Sequence, residues 1–237
     1  MKRLLTLGLV LLSGLSFGQT TPTPAELLDR MRNAYAQART YRDRGSVTVE
    51  YLTRKKAETT RRKAFSTAFQ RGGTYRFAHA EAGSAGAIQC GVVWSKGPRT
   101  LTWLGARNTL DSGRTLVQAL TLAGAATGSA SRRVSGLLLG DPKISMDWDK
   151  SLRNVQLVGQ ETVNNRLTHH LTATGGQVNL PSQVELWLDA ASGLVIRLSE
   201  RSRVAEFEAL TTIDFEPAVN VELTPDLLRF DYQNCLK

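Results

Sequence analysis

The sequence lacks the short motifs that mark common catalytic and nucleotide-binding sites. It contains no G-x-S-x-G nucleophile elbow, no H-E-x-x-H zinc motif, no G-x-x-x-x-G-K-S/T phosphate loop and no paired Cys-x-x-Cys. It has three histidines, and the adjacent His169 and His170 would face opposite sides of a strand, so they cannot chelate one metal together. From these absences we expect a protein that is not an enzyme and that uses no metal or cofactor.

Long hydrophobic runs are also missing, apart from one at the N-terminus. Lys2 and Arg3 precede an uncharged run over residues 4–15, and Ser16-Phe-Gly18 supplies small residues, which is the order of a secretory signal peptide. The run is shorter than the ~20 residues of a membrane span; an uncleaved N-terminal anchor is the alternative. We expect residues 1–18 to be a signal peptide and residues 19–237 to form one domain, periplasmic or otherwise exported and soluble after cleavage.

Cysteine is scarce, with two residues, Cys90 and Cys235. In an oxidising compartment such a pair can form a disulfide, which would tie the C-terminal segment to a strand near the middle of the chain. Two buried free thiols are the alternative. Nothing near either residue has the spacing of a metal site.

Acidic residues are outnumbered, 21 against 30 lysines and arginines. For an exported chain this excess favours an anionic membrane surface as a partner over nucleic acid, and a basic solvated surface without a partner is the alternative. Six positive charges fall within ten residues at the far end of the first predicted hairpin. We expect them to dock on an anionic membrane or on an acidic partner such as a membrane delivery protein, or else to protect a strand edge. These residues are Arg54, Lys55, Lys56, Arg61, Arg62 and Lys63.

Helical patterns are present in two places. Thr23, Pro24 and Glu26 form an N-terminal capping signature, and apolar residues then recur at helical spacing as far as Tyr41, with Gly45 as the expected end. A second helix is predicted over 114–126, where apolar residues bunch without alternation. The Gly-, Ser- and Ala-rich stretch after it is expected to be a mobile lid or a loop with a helical turn.

Elsewhere the hydrophobic period is two, with turn signals every eight to twelve residues or so, which predicts a meander of antiparallel strands. The stretch VELWLDAASGLVIRLS, residues 184–199, is the clearest hairpin, with its loop over 189–193 and Trp187 on the outer face. We expect one curved antiparallel sheet that curls around two helices. The predicted aliphatic face of this hairpin comprises Val184, Leu186, Leu188, Leu194, Ile196 and Leu198.

Three short motifs occur in a familiar order. RGGTYRF over 71–77 is similar to an Arg-Pro-aromatic strand, SKGPRTL over 95–101 to a Ser-Asp-Gly-Lys-Thr-Leu turn, and VELWLD with Gly193 and Leu194 to a strand–turn–strand. With them the chain resembles the outer-membrane lipoprotein carrier family (LolA-like), especially its periplasmic relatives. The resemblance implies an α+β, mostly β fold: a strongly curved antiparallel sheet forming an incomplete β-barrel, covered by an N-terminal helix and a mid-chain helix.

The resemblance also implies a function. Members of the family carry acyl chains of lipoproteins or lipids between membranes, so we expect a monomeric, non-enzymatic carrier or binding protein for an acylated ligand. A sensory or structural module acting through a protein partner is the alternative. Arg71 matches the arginine that holds the lid helices shut, although Gly72 stands where the family has proline, and an ordinary strand-edge charge is the other reading. The expected ligand-binding residues are Val49, Tyr51, Phe65, Tyr75, Phe77, Trp94, Trp103, Leu186, Leu188 and Ile196.

Overall fold

A computed structural model describes residues 21–53, 56–81, 90–204, 207–233 and 235–236, with the backbone alone at 53, 56–59, 204 and 207. The expected signal peptide lies outside these residues, and its cleavage stays a prediction. In the described part of the chain, no helix is both long enough and apolar enough to cross a membrane.

Five helices and twelve strands form the described structure. The helices are α1 (Pro24–Gln37), α2 (Leu116–Ala126), α3 (Ala130–Leu139), α4 (Pro142–Ser145) and α5 (Pro225–Leu228). The first six strands are β1 (Thr40–Thr53), β2 (Lys56–Gln70), β3 (Thr74–Glu81), β4 (Cys90–Lys96), β5 (Arg99–Leu104) and β6 (Thr109–Asp111). The others are β7 (Arg153–Val163), β8 (Arg166–Gln177), β9 (Leu180–Asp189), β10 (Val195–Val204), β11 (Phe207–Phe215) and β12 (Ala218–Val219).

All strands belong to one antiparallel sheet with the order β6-β5-β4-β3-β2-β1-β11-β10-β9-β8-β7, and β12 adds to β1. Neighbours in space are neighbours in sequence everywhere except at the β1–β11 and β1–β12 pairs. β6 and β7 are the two edges, and over the described residues the sheet does not close on itself. The predicted mostly β fold, with an incomplete barrel and covering helices, is confirmed.

Helices α1 to α4 lie on one face of the sheet, which we call the inner face, whereas α5 lies on the other face beside Trp94. Met31 and Tyr35 of α1 and Leu120 of α2 are buried against inner-face residues such as Phe77 and Leu188. Each large apolar side chain buried in this way stabilises the fold by about 1.5–3 kcal/mol. The inner face therefore supplies the main hydrophobic core.

The first helix begins as the sequence predicts and ends earlier. Thr23 and Glu26 form a reciprocal capping box around Pro24, the first helical residue. The helix stops at Gln37, however, and Tyr41 lies in β1, so the predicted extension to residue 45 is wrong. Gly45 is a strand residue whose missing side chain makes room for Phe65: a Cβ there would lie 2.3 Å from the Phe65 ring.

The second predicted helix is confirmed as α2, and it begins with a capping box of its own. Thr115 and Gln118 form a second capping box. The Gly-, Ser- and Ala-rich stretch after it, residues 124–141, contains α3, and α4 follows directly, so the stretch is more helical than the predicted loop. Ser131 anchors α3 to α2 by donating a hydrogen bond to the Leu120 carbonyl at 2.8 Å.

The predicted hairpins form with the expected turn chemistry. Asn164 and Asn165 both have positive φ, 50° and 61°, as a tight two-residue turn between β7 and β8 requires. In the 189–193 loop, the Asp189 carboxylate accepts hydrogen bonds from the backbone and hydroxyl of Ser192, and Gly193 has φ 75°. Both turns therefore adopt the conformation that their local sequence predicts.

Candidate functional site

A cavity of about 380 Å³ lies between α2 and the inner face of β3–β5, and we call it the α2 cavity. Val93 from β4 and Ala119, Leu122 and Ala123 from α2 provide apolar lining. Leu122 is 36 % exposed, so part of this lining reaches solvent. The volume falls within the roughly 300–1,000 Å³ typical of ligand pockets. Polar residues also border it, namely Lys63, His79, Thr102, Arg107 and Arg114.

A second cavity of about 250 Å³, the β1 cavity, lies at the other side of the C-terminal end of α2. Val49 and Tyr51 of β1 line it, opposite Gly128 and the last residues of α2. Lys63 and Ala126 line both cavities, so the two spaces adjoin at these residues. An elongated ligand that passes between them would contact both.

His79 contributes a neutral imidazole to the α2 cavity. Burial, and secondarily the charge of Lys63, lowers the pKa of His79 to about 4, so the ring is uncharged at neutral pH. Its Nδ1 is buried without a hydrogen-bond partner among the described residues. Gly91 leaves the space that the ring occupies, because a Cβ there would lie 2.3 Å from the His79 Nε2.

The expected ligand-binding residues separate into three groups. Val49 and Tyr51 line the β1 cavity. A second group lies in the packed inner core, where ring stacking (Phe65 and Phe77 have centroids 5.8 Å apart) and helix contacts already occupy these side chains. This second group consists of Phe65, Tyr75, Phe77, Leu186 and Leu188.

The third group, Trp94, Trp103 and Ile196, belongs to the outer face. Trp94 donates its indole N–H to the Leu228 carbonyl at 2.7 Å. Trp103 borders the α2 cavity, but its ring stacks on Tyr232 with centroids 4.3 Å apart. Both rings therefore pack under the C-terminal segment.

Ile196 changes face because of a β-bulge. The register between β9 and β10 shifts between Val195 and Arg197, so Val195 joins the inner core and Ile196 packs with Trp187 and Val163 on the outer face. A bulge inserts one residue and reverses the alternation after it. Trp187 itself lies on the outer face, as the alternation predicts.

Arg71 binds the C-terminal end of α1. Its Nε donates to the Ala38 carbonyl at 2.8 Å and its Nη2 to the Tyr35 carbonyl at 3.0 Å, while the guanidinium lies 5.2 Å from the centre of the Phe69 ring. The Tyr35 carbonyl also accepts the Ala38 amide at 3.3 Å, and a cation is favoured near the C-terminal carbonyls of a helix. The contact fastens the first helix to the β2–β3 turn, and the predicted gating role stays a prediction.

Arg71→Ala is expected to lower the free energy of unfolding by about 1 kcal/mol, because two charge-assisted hydrogen bonds to carbonyls at the end of α1 are lost. Urea unfolding measures the change. Arg99→Ala, at an exposed arginine that begins β5 directly after another hairpin turn, is the control and should change the value by less than ~0.5 kcal/mol. Equal losses in the two variants would contradict an anchoring role.

The basic run divides between the two faces. Arg54 and Lys55 lie outside the described residues, and the side chain of Lys56 is not described. Arg61 and Lys63 pair with Val49 and Val47 on the inner face, whereas Arg62 pairs with Thr48 on the outer face. The signal for this was in the sequence, since Arg61 and Lys63 share the strand parity of the inner-face residue Phe65. Docking of the whole run on a membrane stays a prediction.

The predicted disulfide is present. Cys90 and Cys235 are bonded, with their Cα atoms 6.3 Å apart. Beside it, Arg76 is 1 % exposed and donates from Nη2 to the Cys235 carbonyl at 2.6 Å and to the Asp231 carbonyl at 3.3 Å. Burial lowers the pKa of Arg76. The C-terminal segment is thus held on the outer face of β3–β5.

Within the described ranges, no group of three or more His, Cys, Asp or Glu residues is placed to hold a metal ion. The cavities therefore offer apolar contacts, backbone groups, one neutral histidine and cationic side chains. This combination suits binding of an amphipathic molecule.

No protein-family model matches the sequence, and no curated protein matches it. Solved structures do resemble it. A chain of the Pseudomonas aeruginosa MucA/MucB complex aligns with a TM-score of 0.49 at 16 % identity, covering 88 % of this chain and 61 % of that chain. The present chain thus spans about 61 % of the length of that protein.

Two further neighbours are matched over most of their length. Lipoprotein LppX of Mycobacterium tuberculosis has a TM-score of 0.42 at 12 % identity, with 81 % of this chain and 94 % of that chain covered. A LolA superfamily protein of Nitrosomonas europaea has a TM-score of 0.37 at 12 % identity, with 90 % and 100 % covered. The solved structures that resemble this chain thus include a LolA superfamily protein, and the sequence motifs resemble the same family.

Proposed function

We propose that the protein is a non-enzymatic binding protein that holds an acyl chain of a lipid or lipoprotein in the α2 cavity and its extension, the β1 cavity. The observation that carries the proposal is the apolar space between α2 and the inner face of β3–β5, lined by Val93, Ala119, Leu122 and Ala123. Each methylene of a ligand buried there contributes about 0.8 kcal/mol. Several methylenes bind measurably without any dedicated polar group.

Two features that indicate export support this proposal. The N-terminal signal pattern and the Cys90–Cys235 disulfide both suit an oxidising envelope compartment, where acylated molecules need cover from water between membranes. The basic excess of the chain suits transient contact with an anionic membrane surface or a delivery protein there. We therefore place the protein in the periplasm or outside the cell.

A bulky substitution at the junction of the two cavities is expected to abolish binding. Ala126→Trp places an indole where both cavities meet, so the affinity for a fluorescent C16 fatty acid should fall at least ~10-fold, which is about 1.4 kcal/mol. Thr121→Trp, on the exposed side of the same helix, is the matched control and should bind like the wild type. Fluorescence titration measures both.

Failure of the wild type to bind the fatty acid, or equal binding by wild type and Ala126→Trp, would contradict the proposal. The packed inner core, with Phe65 stacked on Phe77, favours a second candidate in that case. That candidate is a sensory or structural module of the same fold, which acts through a protein partner. A native mass spectrum of the protein from its own envelope separates the two, because the carrier retains lipid and the module does not.

A further inference from the structure

The inner-face position of Arg61 and Lys63 adds a charged element to the apolar cavities. Directly paired residues of an antiparallel ladder point to the same face. Lys63 is paired with Val47 and Arg61 with Val49, so both cations stand beside core-facing valines. Arg62, between them, points the other way.

Both cations border the space that the ligand would occupy. Arg61 and Lys63 line the β1 cavity, and Lys63 lines the α2 cavity as well. Arg61 is exposed and Lys63 is half-buried, so the charge extends from the rim inwards. Neither forms an ion pair with any residue whose side chain the structure describes, although Glu81 stands opposite Lys63 in the β2–β3 register.

The other charged groups around the α2 cavity are also mostly positive. Arg107 and Arg114 line it, and Arg114 is paired with Asp111 at 2.8 Å. His79 is neutral, since burial lowers its pKa to about 4. A partly desolvated region in which cations outnumber acidic groups attracts an anion more strongly than the open surface does.

From this juxtaposition we infer that the ligand is an anionic amphiphile, whose carboxylate or phosphate binds Arg61 and Lys63 while its acyl chain enters the α2 cavity. The inference rests on the proposed acyl-binding function and specifies its ligand class. It also fixes the orientation: the head lies at the β1 cavity near the rim and the chain runs under α2. The alternation of the strand separates these two cations from Arg62, which faces the outer side and takes no part.

The test compares two ligands with one chain. A fluorescent C16 fatty acid and its methyl ester are titrated at pH 8 into the wild type, Arg61→Gln/Lys63→Gln and Arg62→Gln. The wild type is expected to bind the acid at least ~10-fold more tightly than the ester. The double variant should lose this preference through weaker binding of the acid, with the ester unchanged. Arg62→Gln should behave as the wild type.

A second ligand pair identifies the anionic group. Lysophosphatidylglycerol has an anionic head and lysophosphatidylcholine has a head without net charge. If the protein prefers the former, and the preference depends on Arg61 and Lys63, the site binds phosphate. If the preference for an anion is restricted to the fatty acid, the site binds carboxylate. Equal binding of acid and ester by the wild type, or equal loss in Arg62→Gln, overturns the inference while leaving acyl binding intact. Absence of binding by every ligand overturns the proposed function itself.

Discussion

Replacement of both cysteines, Cys90→Ser/Cys235→Ser, is expected to lower the free energy of unfolding by about 5 kcal/mol. The bond joins residues 145 positions apart, and a cross-link that closes so long a loop restricts the unfolded chain by about that amount in the chain-entropy model. For a protein of this size the melting temperature should fall by roughly 10–15 °C. Calorimetry of the variant and the wild type measures both quantities.

A second readout reports on the segment that the disulfide holds. Arg229, in the C-terminal segment, has a side chain that is 63 % exposed. Once the bond is gone, only noncovalent contacts hold the segment to the outer face, among them those of Trp94 with Leu228 and of Trp103 with Tyr232, so trypsin should cut after Arg229 faster in the variant. Unchanged melting and unchanged cleavage would show that the disulfide has no structural role.

Asp43→Asn is expected to stabilise the protein in a pH-dependent way. The Asp43 carboxyl is 4 % exposed and accepts hydrogen bonds from the Tyr41 hydroxyl at 2.6 Å and the Thr67 amide at 2.8 Å. Burial is the larger influence and raises the pKa of Asp43 from 3.8 to about 6. Asparagine keeps the acceptor for Thr67 and has no charge to bury.

The direction in which stability changes with pH follows from proton binding. Between about pH 4 and pH 6 the folded state keeps the Asp43 proton and the unfolded state loses it, so stability falls as the pH rises through this window. Above it the cost is constant at about 2–3 kcal/mol. The advantage of Asp43→Asn over the wild type should therefore grow by this amount from pH 4 to pH 7.

The measurement is the difference in unfolding free energy between variant and wild type across that range. Subtraction removes the titration of His79, which is common to both proteins and whose pKa is lowered to about 4. Glu222→Gln, at an exposed carboxylate, serves as the control and should give a flat difference. A flat difference for Asp43→Asn as well would show that Asp43 ionises freely in the folded protein.

Local patterns predicted most of the fold because each acts over a few residues. The capping residues Thr23 and Glu26, the Asn164-Asn165 turn and the alternation of Val47, Val49 and Tyr51 all appear as the sequence indicates. The same parity placed Arg61 and Lys63 inward, but their charge had suggested a surface role. Strand parity is therefore the stronger indicator of position.

The errors have long-range causes. The bulge after Val195 turns Ile196 outward, and no periodicity within β10 indicates it. Trp94 and Trp103 were expected to face ligand, but the C-terminal segment covers the outer face and takes both rings. Apolar strand residues look alike whether they meet a helix, a ligand or a distant part of the chain, so sequence alone did not separate Phe77 in the core from Val49 at a cavity.

The strand order has a consequence for how the protein folds. β1 to β6 form one meander and β7 to β11 another, each built from hairpins that close short loops, while the β1–β11 ladder alone unites the two halves of the main path. Short-range contacts form early and long-range ones pay a larger loop-closure entropy. The two meanders can therefore assemble independently, and β1–β11 pairing is the step on which completion of the common core depends.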